Sequence, residues 1–425
     1  MTRALVLFED DGWEALRPLT ELLPVPALAC GGSTLARRWH VAAGLPLLAI
    51  EARALALEAW RERPAVDPDA ARGAADAPIF AANAAALPGP WLEEARGAGT
   101  PALFTSGGRI VAGRLPRAQL EPGLGRGAGF AAFLAGLGLP RVEVAARLLA
   151  HPWDFVERNR DALARDLAAG PFEQRGKVHR LAALEAPEAI AIEEGATIEA
   201  HAVLDARGGP IRIERGARVA AHTLVEGPCV VGAGSELLGG RIAQATIGPR
   251  CFIAGEVEAS IWQGYSNKRH HGFVGHSVIG EWVNLGALTT TSDLKNNYGP
   301  VRVTVGGREM DSGLTKVGAF IGAHTKTGIG SLLPTGAVIG TASNLFGGGR
   351  FAPKHVPPFT WWDGERASEH RLEALLETAR HAMARRERPL VPADERALRA
   401  LFESSASERG VAPAPRPHRK ATAAS

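Results

Sequence analysis

Aliphatic side chains recur at every sixth position through much of the second half of the chain. The positions in phase are Ile192, Ile198 and Leu204; Ile213, Val219, Val225, Val231 and Leu237; Ile247 and Ile253; Ile279 and Leu285; and Ile321, Leu333, Ile339 and Leu345, with Thr327 at the missing place of the last run. A period of six fits neither an α-helix nor a simple β-strand. It is typical of a hexapeptide-repeat parallel β-helix, in which each hexad forms one flat side and three sides form a coil. Because each coil buries its inner face only by stacking on its neighbours, the pattern predicts a continuous β-helix over residues 187–345.

The first 150 residues show a different pattern, in which short apolar runs alternate with helix-like segments. The run Ala4–Phe8 predicts a buried strand that ends at the turn Glu9-Asp10-Asp11-Gly12. Later segments, such as residues 52–60 and 102–104, continue the alternation and favour a parallel sheet with crossover helices over residues 1–150. Ligands of such sheets bind at the carboxyl ends of the strands, which is where Asp10 and Asp11 fall. A solvated acidic turn explains the same two residues equally well.

The other segments connect and extend these two domains. We expect residues 151–186 to be a helical linker, because Trp153, Val156, Leu163 and Leu167 share one apolar face. The glycine run at 347–349 is expected to end the β-helix, and residues 351–362 are too rich in proline for regular structure. Residues 346–403 are therefore predicted to be a Pro/aromatic arm with C-terminal helices, and residues 404–425 a disordered tail.

Composition narrows the class of protein further. The 425 residues carry a formal net charge of only +3, so the charge requires neither a nucleic-acid nor a membrane partner. The three cysteines form no disulfide framework and are expected to be reduced thiols. No apolar segment approaches the ~20 residues of a membrane helix, and acidic residues directly follow the first apolar run, unlike in a signal peptide. We therefore expect a cytoplasmic protein.

One stretch, residues 261–298, interrupts the repeats with a dense set of polar side chains. It contains three histidines (His270, His271 and His276) and the pair Lys268-Arg269. Within it, GYSNKRHHGFVGHSVIGEWVNLGALTTTSDLKNNY resembles the acetyltransferase part of the bacterial bifunctional GlmU-type family, and more closely a variant branch of that family. The N-terminal LFEDDGWEALRPLT and the C-terminal PPFTWW and HAMARRERPL resemble the same branch, so the resemblance extends to about residue 403.

The resemblance implies both a fold and an activity. The fold is an α/β nucleotidyltransferase-like (Rossmann-like) domain, followed by a left-handed parallel β-helix of hexapeptide repeats and a short helical C-terminal arm. The activity is that of a transferase in sugar-nucleotide metabolism. The β-helix domain would transfer an acetyl group from acetyl-CoA to an amino sugar-1-phosphate such as glucosamine-1-phosphate, and the N-terminal domain would act on a nucleotide. The resemblance also implies a homotrimer.

Site residues of the family are carried over where its motif matches. The family's catalytic base is a His nine residues before the Ile of an I-G-x-x-V-N-I-G-A-G segment; that segment begins here at Ile279, which makes His270 the implied base. The implied substrate contacts are Phe273, which replaces a tyrosine, Asn284, Asn297 and Tyr298, with Lys268, Arg269 and Lys316 as candidate phosphate-binding cations.

These residue types fit acyl transfer to an amine. As the tetrahedral intermediate forms, a base must take the amine proton, and a neutral imidazole suits that task near pH 7. Backbone N–H groups at a coil corner would stabilise the oxyanion. Lysine and arginine would bind the phosphates of the sugar and of coenzyme A.

The N-terminal half departs from the nucleotide-binding pattern. Ordinary sugar-1-phosphate nucleotidyltransferases begin with a Gly-rich L-x-x-G-x-G-T-R loop that is missing here, and Leu or Ala stands where the variant branch has three arginines. A triphosphate needs cationic partners, so we expect weakened or lost nucleotidyl transfer. The remaining candidate nucleotide contacts, which would act with Mg²⁺ and a nucleoside triphosphate, are Asp10, Asp11, Arg17 and Asn83.

Two other functions remain open from the sequence. One is a zinc enzyme resembling the γ-class carbonic anhydrases, for which the candidate ligands are His201, His222, His270, His271, His276 and His324. The other is a non-catalytic scaffold or sugar-nucleotide sensor, favoured by the missing arginines and by Phe273. Under the leading interpretation the partners are a small sugar phosphate and a nucleotide, with no metal in the acyl-transfer site.

Overall fold

The computed structural model of the chain describes residues 4–61, 65–67, 69, 77–97 and 99–409. An N-terminal α/β domain is followed by a three-walled parallel β-helix, and C-terminal helices pack against both. The predicted fold class is confirmed.

The N-terminal domain is built on a six-stranded sheet with the order β4-β1-β5-β8-β7-β9. The strands of this domain are β1 (Ala4–Phe8), β2 (Ala29–Cys30), β3 (Ser33–Thr34), β4 (Leu47–Glu51), β5 (Pro78–Asn83), β6 (Ala86–Leu87), β7 (Ala102–Ser106), β8 (Arg109–Pro116), β9 (Arg141–Glu143) and β10 (Arg147–Leu148). The helices are α1 (Leu35–Ala43), α2 (Ala54–Ala59), α3 (Trp91–Arg96), α4 (Arg117–Leu120) and α5 (Phe130–Gly136).

The sheet is mixed, so the prediction of a parallel sheet holds for some of its strand pairs and is wrong for those of β8. Strand β1 lies parallel between β4 and β5, but β8 runs antiparallel to both β5 and β7. The reason is a hairpin between β7 and β8, whose two central residues, Gly107 and Gly108, both have positive φ angles (57° and 81°). A two-residue turn with both φ angles positive matches the twist of paired strands and favours glycine.

Helix α6 (Pro152–Ala168) connects this domain to the β-helix. The first wall of the β-helix consists of β13 (Ile190–Ile192), β16 (Ile211–Ile213), β19 (Cys229–Val231), β21 (Thr246–Ile247), β23 (Ile261–Trp262), β26 (Val278–Ile279), β31 (Ala319–Ile321), β34 (Ala337–Ile339) and β36 (His355–Val356). The second wall consists of β11 (Lys177–Val178), β14 (Thr197–Ile198), β17 (Arg218–Val219), the first part of β20 (Glu236–Ala243) and of β22 (Phe252–Glu258), then β24 (Asn267–Lys268), β27 (Asn284–Leu285), β32 (Lys326–Thr327), β35 (Asn344–Leu345) and β37 (Thr360–Trp362).

The third wall consists of β12 (Ala183–Glu185), β15 (Val203–Asp205), β18 (Thr223–Glu226), the second part of β20 and β22, β25 (Phe273–Gly275), β28 (Thr290–Thr291) and β33 (Leu332–Leu333). A hairpin, β29 (Arg302–Val305) and β30 (Arg308–Asp311), is inserted between two coils. The aliphatic hexad residues point inward and form one continuous core from Ile190 to Trp362. The positions that the six-residue period predicts to point inward are therefore the ones that form the core.

The β-helix is longer than predicted at both ends. Strands β11 and β12 already pair with the coil above them, so the segment expected to be linker up to residue 186 contains coil strands. Val178 and Leu184 of these strands are six residues apart and pack against the core. At the other end β36 and β37 pair beyond the glycine run, and Val356 and Trp362 fill the core. The prolines of this segment lie outside the strands, where they block no ladder hydrogen bond.

The C-terminal segment is mostly helical. Strand β38 (Ala367–Glu369) pairs antiparallel with β37 and leads into α7 (Leu372–Ala384), α8 (Pro392–Ser404) and α9 (Ala406–Arg409). Residues 404–409 of the predicted tail therefore belong to α8, a turn and α9, and its residues 410–425 lie outside the described residues. Among the helices that the structure describes, none is both long and apolar enough to cross a bilayer.

The N-terminal domain packs on the outer face of the first wall. Outward-facing Ile261, Val278 and Phe320 are fully buried in a cluster that also contains Trp153 and Phe155 of α6. Hydrogen bonds cross the same interface: the Thr246 hydroxyl donates to the Gly31 carbonyl at 2.8 Å, and the Gln263 side-chain oxygen accepts from the Ala29 amide at 2.8 Å. The first wall is therefore covered, whereas residues of the second and third walls provide the predicted acyl-transfer site.

Candidate functional site

Lys268 lies inside the β-helix, directly below the loop that carries His270. Its register neighbour on the preceding coil is the core residue Ile253, and the Lys268 side chain is fully buried. Its ammonium group donates hydrogen bonds to the carbonyl oxygens of Ala254 at 3.0 Å and His270 at 2.8 Å. Burial lowers the pKa of Lys268 to about 8. Lys268 therefore holds the backbone of His270, and its ammonium group does not reach solvent.

The lowered pKa of Lys268 should make the free energy of unfolding depend on pH. The pKa of Lys268 is about 8 in the folded chain and about 10.4 when unfolded, so the unfolded chain binds more protons between these values. Stability then rises with pH across that window, by up to about 3 kcal/mol from Lys268. We expect Lys268→Met to remove this part of the rise in urea unfolding curves measured from pH 8 to pH 10.

Lys326 supplies the matched control for this measurement. Its pKa is also lowered to about 8 by burial, so Lys326→Met should remove a separate contribution of the same sign. If the unfolding free energy of Lys268→Met changed with pH as that of the wild type does, the lowered pKa of a buried Lys268 would be contradicted.

His270 and His271 are both exposed at a corner of the β-helix. Within the described part of the chain, no hydrogen bond engages the His270 ring. The backbone around it is fixed, because the His270 carbonyl accepts from Lys268 and the His271 carbonyl accepts from the Leu288 amide at 2.8 Å. An exposed imidazole on a fixed backbone is suited to act as a general base towards a bound amine.

A second imidazole in the same loop is oriented by a carboxylate. The Nδ1 atom of His276 lies 2.7 Å from Oδ2 of Asp293, and both side chains are largely buried. Because a carboxylate only accepts hydrogen bonds, this contact places the Nδ1 proton towards Asp293 and leaves Nε2 as the free acceptor. The Phe273 ring and the Asp293 carboxylate both lie over Gly275. Phe273 is therefore next to the His276–Asp293 pair.

Lys316 lies on the same side of the molecule. Its ammonium group is 3.8 Å from Oε1 of Glu258, and Glu258 is the register neighbour of Gly275 on the third wall. The structure therefore groups Phe273, His276, Asp293 and Lys316 on the third wall, beside the corner that carries His270. Of this group, Asp293 was missed in the sequence, since a single Asp in a loop carries no motif.

Two other predicted residues face a separate cleft of about 370 Å³ on the second wall, here called the cation cleft. Arg269 and Asn284 line it, and Oδ1 of Asn284 accepts from Nδ2 of Asn267 at 2.6 Å. Arg385 and Arg386, which follow helix α7, line its other side. These arginines belong to the HAMARRERPL segment, whose position against the β-helix could not be predicted from spacing.

Asn297 and Tyr298 lie away from these groups in an exposed loop. The Asn297 side chain accepts from the backbone amide of Gly299 at 3.1 Å, and the Tyr298 side chain is 72% exposed. Neither residue lines the cation cleft within one chain.

The candidate nucleotide contacts of the N-terminal domain are already engaged. Both carboxylate oxygens of Asp10 accept from Arg109, at 2.6 and 3.1 Å, while Asp11 is exposed. Arg17 pairs with Glu21 and with Glu408 of α9. Asn83 is buried and bonded to its own sheet through Ala85 and Ile110. This edge therefore offers no unpaired cation for a triphosphate among these residues, and Arg109 engages both Asp10 oxygens.

A larger cavity of about 810 Å³ lies elsewhere in the domain, between the loop before α3 and helix α6. Its charged lining residues are Arg38, Arg147, Arg158, Arg165, Glu94 and Asp161, and Trp91 lies beside them. Arg38 pairs with Asp166 at 2.6 Å and Arg158 with Glu157 at 3.3 Å. No carboxylate in the described residues pairs with Arg147 or Arg165. No sequence motif predicts this site, because its residues come from four separate segments.

Within the described residues of one chain, the histidines proposed as zinc ligands form no metal site. His201 and His222 stack at 5.6 Å, and burial lowers the pKa of His324 to about 3. Over the ranges that the structure describes, no group of three His, Cys, Asp or Glu side chains is close enough to hold a metal ion.

Comparison with known proteins adds independent observations. Residues 5–170 match a family model described as sugar nucleotidyl transferase. The chain is 40% identical over 93 residues to a "bifunctional sugar-1-phosphate nucleotidylyltransferase/acetyltransferase" of Sulfurisphaera tokodaii, covering 22% of this chain and 23% of that protein. It is 35% identical over 86 residues to a "bifunctional protein GlmU" of Methanocaldococcus jannaschii, covering 20% of this chain and 21% of that protein.

A solved structure of "UDP-N-acetylglucosamine acyltransferase from Campylobacter jejuni" aligns with 54% of this chain and 82% of its own, at 16% identity and a TM-score of 0.20. The matched regions span less than a quarter of the length of the two curated relatives. Residues 5–170 thus match the sugar nucleotidyl transferase family, and the chain is a distant relative of the bifunctional GlmU-type proteins.

Proposed function

We propose that the β-helix domain transfers an acetyl group from acetyl-CoA to the amine of an amino sugar-1-phosphate. The observation that carries this proposal is the His270–His276 loop, which presents one solvent-open imidazole and one imidazole oriented by Asp293. His270 is the proposed base. The name of the Sulfurisphaera tokodaii relative, which joins sugar-1-phosphate nucleotidyl transfer to acetyl transfer, supports the choice of substrate class.

Direct transfer, without an acyl-enzyme, is the chemistry that the side chains favour. The amine attacks the thioester carbonyl, His270 takes the amine proton, and the thiol of coenzyme A leaves. A cysteine nucleophile would have to ionise. Burial raises the pKa of Cys30 to about 11 and the pKa values of Cys229 and Cys251 to about 12, which keeps all three as thiols. The proposed form is a cytoplasmic homotrimer, and light scattering should then give three times 44.7 kDa.

The test is acetyl-CoA-dependent release of free thiol with glucosamine-1-phosphate as the acceptor. Saturable release that requires the sugar phosphate is expected from the wild-type chain. Absence of release with every amino sugar phosphate tried, together with thermal stabilisation by the same compounds, would overturn the proposal in favour of a binding protein.

Asp293 is expected to act on acceptor binding through His276. In Asp293→Asn the ring of His276 loses its charged partner, so Nε2 is no longer held as an acceptor. Loss of one charge-assisted hydrogen bond should raise KM for the acceptor about tenfold while kcat changes little. Steady-state kinetics measures the split. Asp311→Asn, in the exposed hairpin, is the control, and an unchanged KM in Asp293→Asn would contradict the role.

For the N-terminal domain we propose binding of a sugar nucleotide in the arginine-lined cavity, without nucleotidyl transfer. The size of the cavity, its Trp91 ring and its unpaired Arg147 and Arg165 support binding. The ion pairs that occupy Asp10 and Arg17 disfavour a metal-bound triphosphate. We expect UDP-sugars to raise the unfolding temperature of the wild type but not of Arg165→Ala. Pyrophosphate release from any nucleoside triphosphate plus sugar-1-phosphate would contradict the absence of transfer.

A further inference from the structure

The cation cleft is built from a column of outward-facing residues on the second wall and from the end of helix α7. Phe252, Asn267, Asn284 and Lys326 are register neighbours on successive strands of this wall. Arg386 packs across the column, with its guanidinium 4.0 Å from the centre of the Phe252 ring. The cleft therefore has one wall from the β-helix and one from the C-terminal segment of the same chain.

The charge of the cleft is of one sign. Arg269, Lys326, Arg385 and Arg386 line it, and no carboxylate is among the described residues that do so. The carboxylate next along the column, Glu236, is paired with Arg218 at 3.0 Å. Other arginines of the C-terminal segment are neutralised in this way, as Arg380 is by Glu395 at 2.9 Å. The described lining of the cleft therefore carries four cations and no carboxylate.

Burial makes two of these four cations, Lys326 and Arg386, unfavourable without a counter-charge, whereas Arg269 and Arg385 are exposed. Within the described residues, the ammonium group of Lys326 makes two long contacts, at 3.4 Å, to the carbonyl oxygens of Trp282 and His324. The Nε atom of Arg386 is buried and has no hydrogen-bond partner among the same residues. Burial, followed by the neighbouring charges of Arg385 and Arg269, lowers the pKa of Arg386. Cations with lowered pKa values in a cleft are typical of functional sites.

We propose that the cation cleft binds a diphosphate or larger polyphosphate group carried by a small molecule. Guanidinium groups bind phosphate oxygens in pairs of parallel hydrogen bonds, and a lysine adds a point charge. Since Asn284 accepts from Asn267 through Oδ1, its NH₂ group remains to donate to a phosphate oxygen. A volume of about 370 Å³ is within the range of small-molecule sites. Binding stands on this geometry alone; only coenzyme A as the carrier rests on the proposed acyl transfer.

Calorimetric titration of the full-length chain tests the proposal with three probes: inorganic pyrophosphate, coenzyme A and a UDP-sugar. We expect saturable binding of pyrophosphate that weakens as salt is raised. The double variant Arg385→Gln/Arg386→Gln should lose at least about tenfold in affinity, because two charge-assisted contacts are removed. Arg380→Gln, on the preceding helix, is the matched control and should bind as the wild type does.

The probes distinguish the carriers. Displacement of pyrophosphate by coenzyme A identifies the acyl donor, and displacement by the UDP-sugar identifies a nucleotide; either result supports the site. Lys326→Gln provides a second variant if the double variant does not fold. No saturable binding of any probe at millimolar concentration, or equal affinity in the wild type and the folded variants, overturns the proposal. Calorimetry measures binding without turnover. The outcome for the cation cleft therefore does not depend on whether the thiol-release assay detects acetyl transfer.

Discussion

Replacing His270 by Ala is expected to lower thiol release from acetyl-CoA by about 10²–10⁴-fold, the usual contribution of a positioned general base. The amine proton would then have to pass to water as the tetrahedral intermediate forms. The thermal midpoint should stay near that of the wild type, because the His270 ring is exposed and carries no hydrogen bond to the described residues. Stopped assays with a thiol reagent measure the rate, and calorimetry confirms the fold.

The adjacent residue provides a close control for this experiment. His271 is equally exposed on the same corner, so His271→Ala changes an imidazole without removing the proposed base. Turnover in His271→Ala and none in His270→Ala would support the assignment. Retained turnover in His270→Ala would remove it and leave His276, which Asp293 orients, as the imidazole to test next.

Trp262→Ala should cost about 3–5 kcal/mol of unfolding free energy, the range for large aromatic residues truncated in a core. Trp262 is fully buried at an inward position of the first wall, where its register neighbours are Ile247 and Ile279. The cavity left by alanine would open in the coil that also contains Lys268, so the His270 loop should loosen together with the core. Urea unfolding followed by circular dichroism measures the loss.

Replacing Trp262 by leucine distinguishes the effect of lost side-chain volume from the effect of the buried indole N–H. The Trp262 indole N–H is buried without a hydrogen-bond partner in the described residues, so Trp262→Leu removes that orphan donor while filling part of the space. We expect Trp262→Leu to cost clearly less than Trp262→Ala. Equal losses in the two variants, or a loss below about 1 kcal/mol in Trp262→Ala, would contradict an inward position with tight packing.

The β-helix could be predicted from the sequence, because inward hexad positions accept few residue types and a sustained period of six is typical of this fold. The alternation of Ala4–Phe8 with the segments after it determined the α/β class of the first domain, and the stretch around His270 showed where the chemistry concentrates. The inward positions of Lys268 and Trp262 were not predicted from the sequence. A lysine at an inward position becomes tolerable only where carbonyl groups face it, as those of Ala254 and His270 do here.

Contacts between residues distant in sequence were decided by the tertiary structure alone. The Arg17–Glu408 pair joins groups 391 positions apart, and the arginines after α7 reach the second wall only because α7 and α8 pack back on the body of the protein. The Asp293 carboxylate likewise meets His276 through coil stacking. Spacing along a chain predicts which face a residue occupies within one element, but not which elements pack together. The hexapeptide repeat could therefore be predicted from the sequence. The ion pairs that engage Asp10 and Arg17, and the cation cleft, could not.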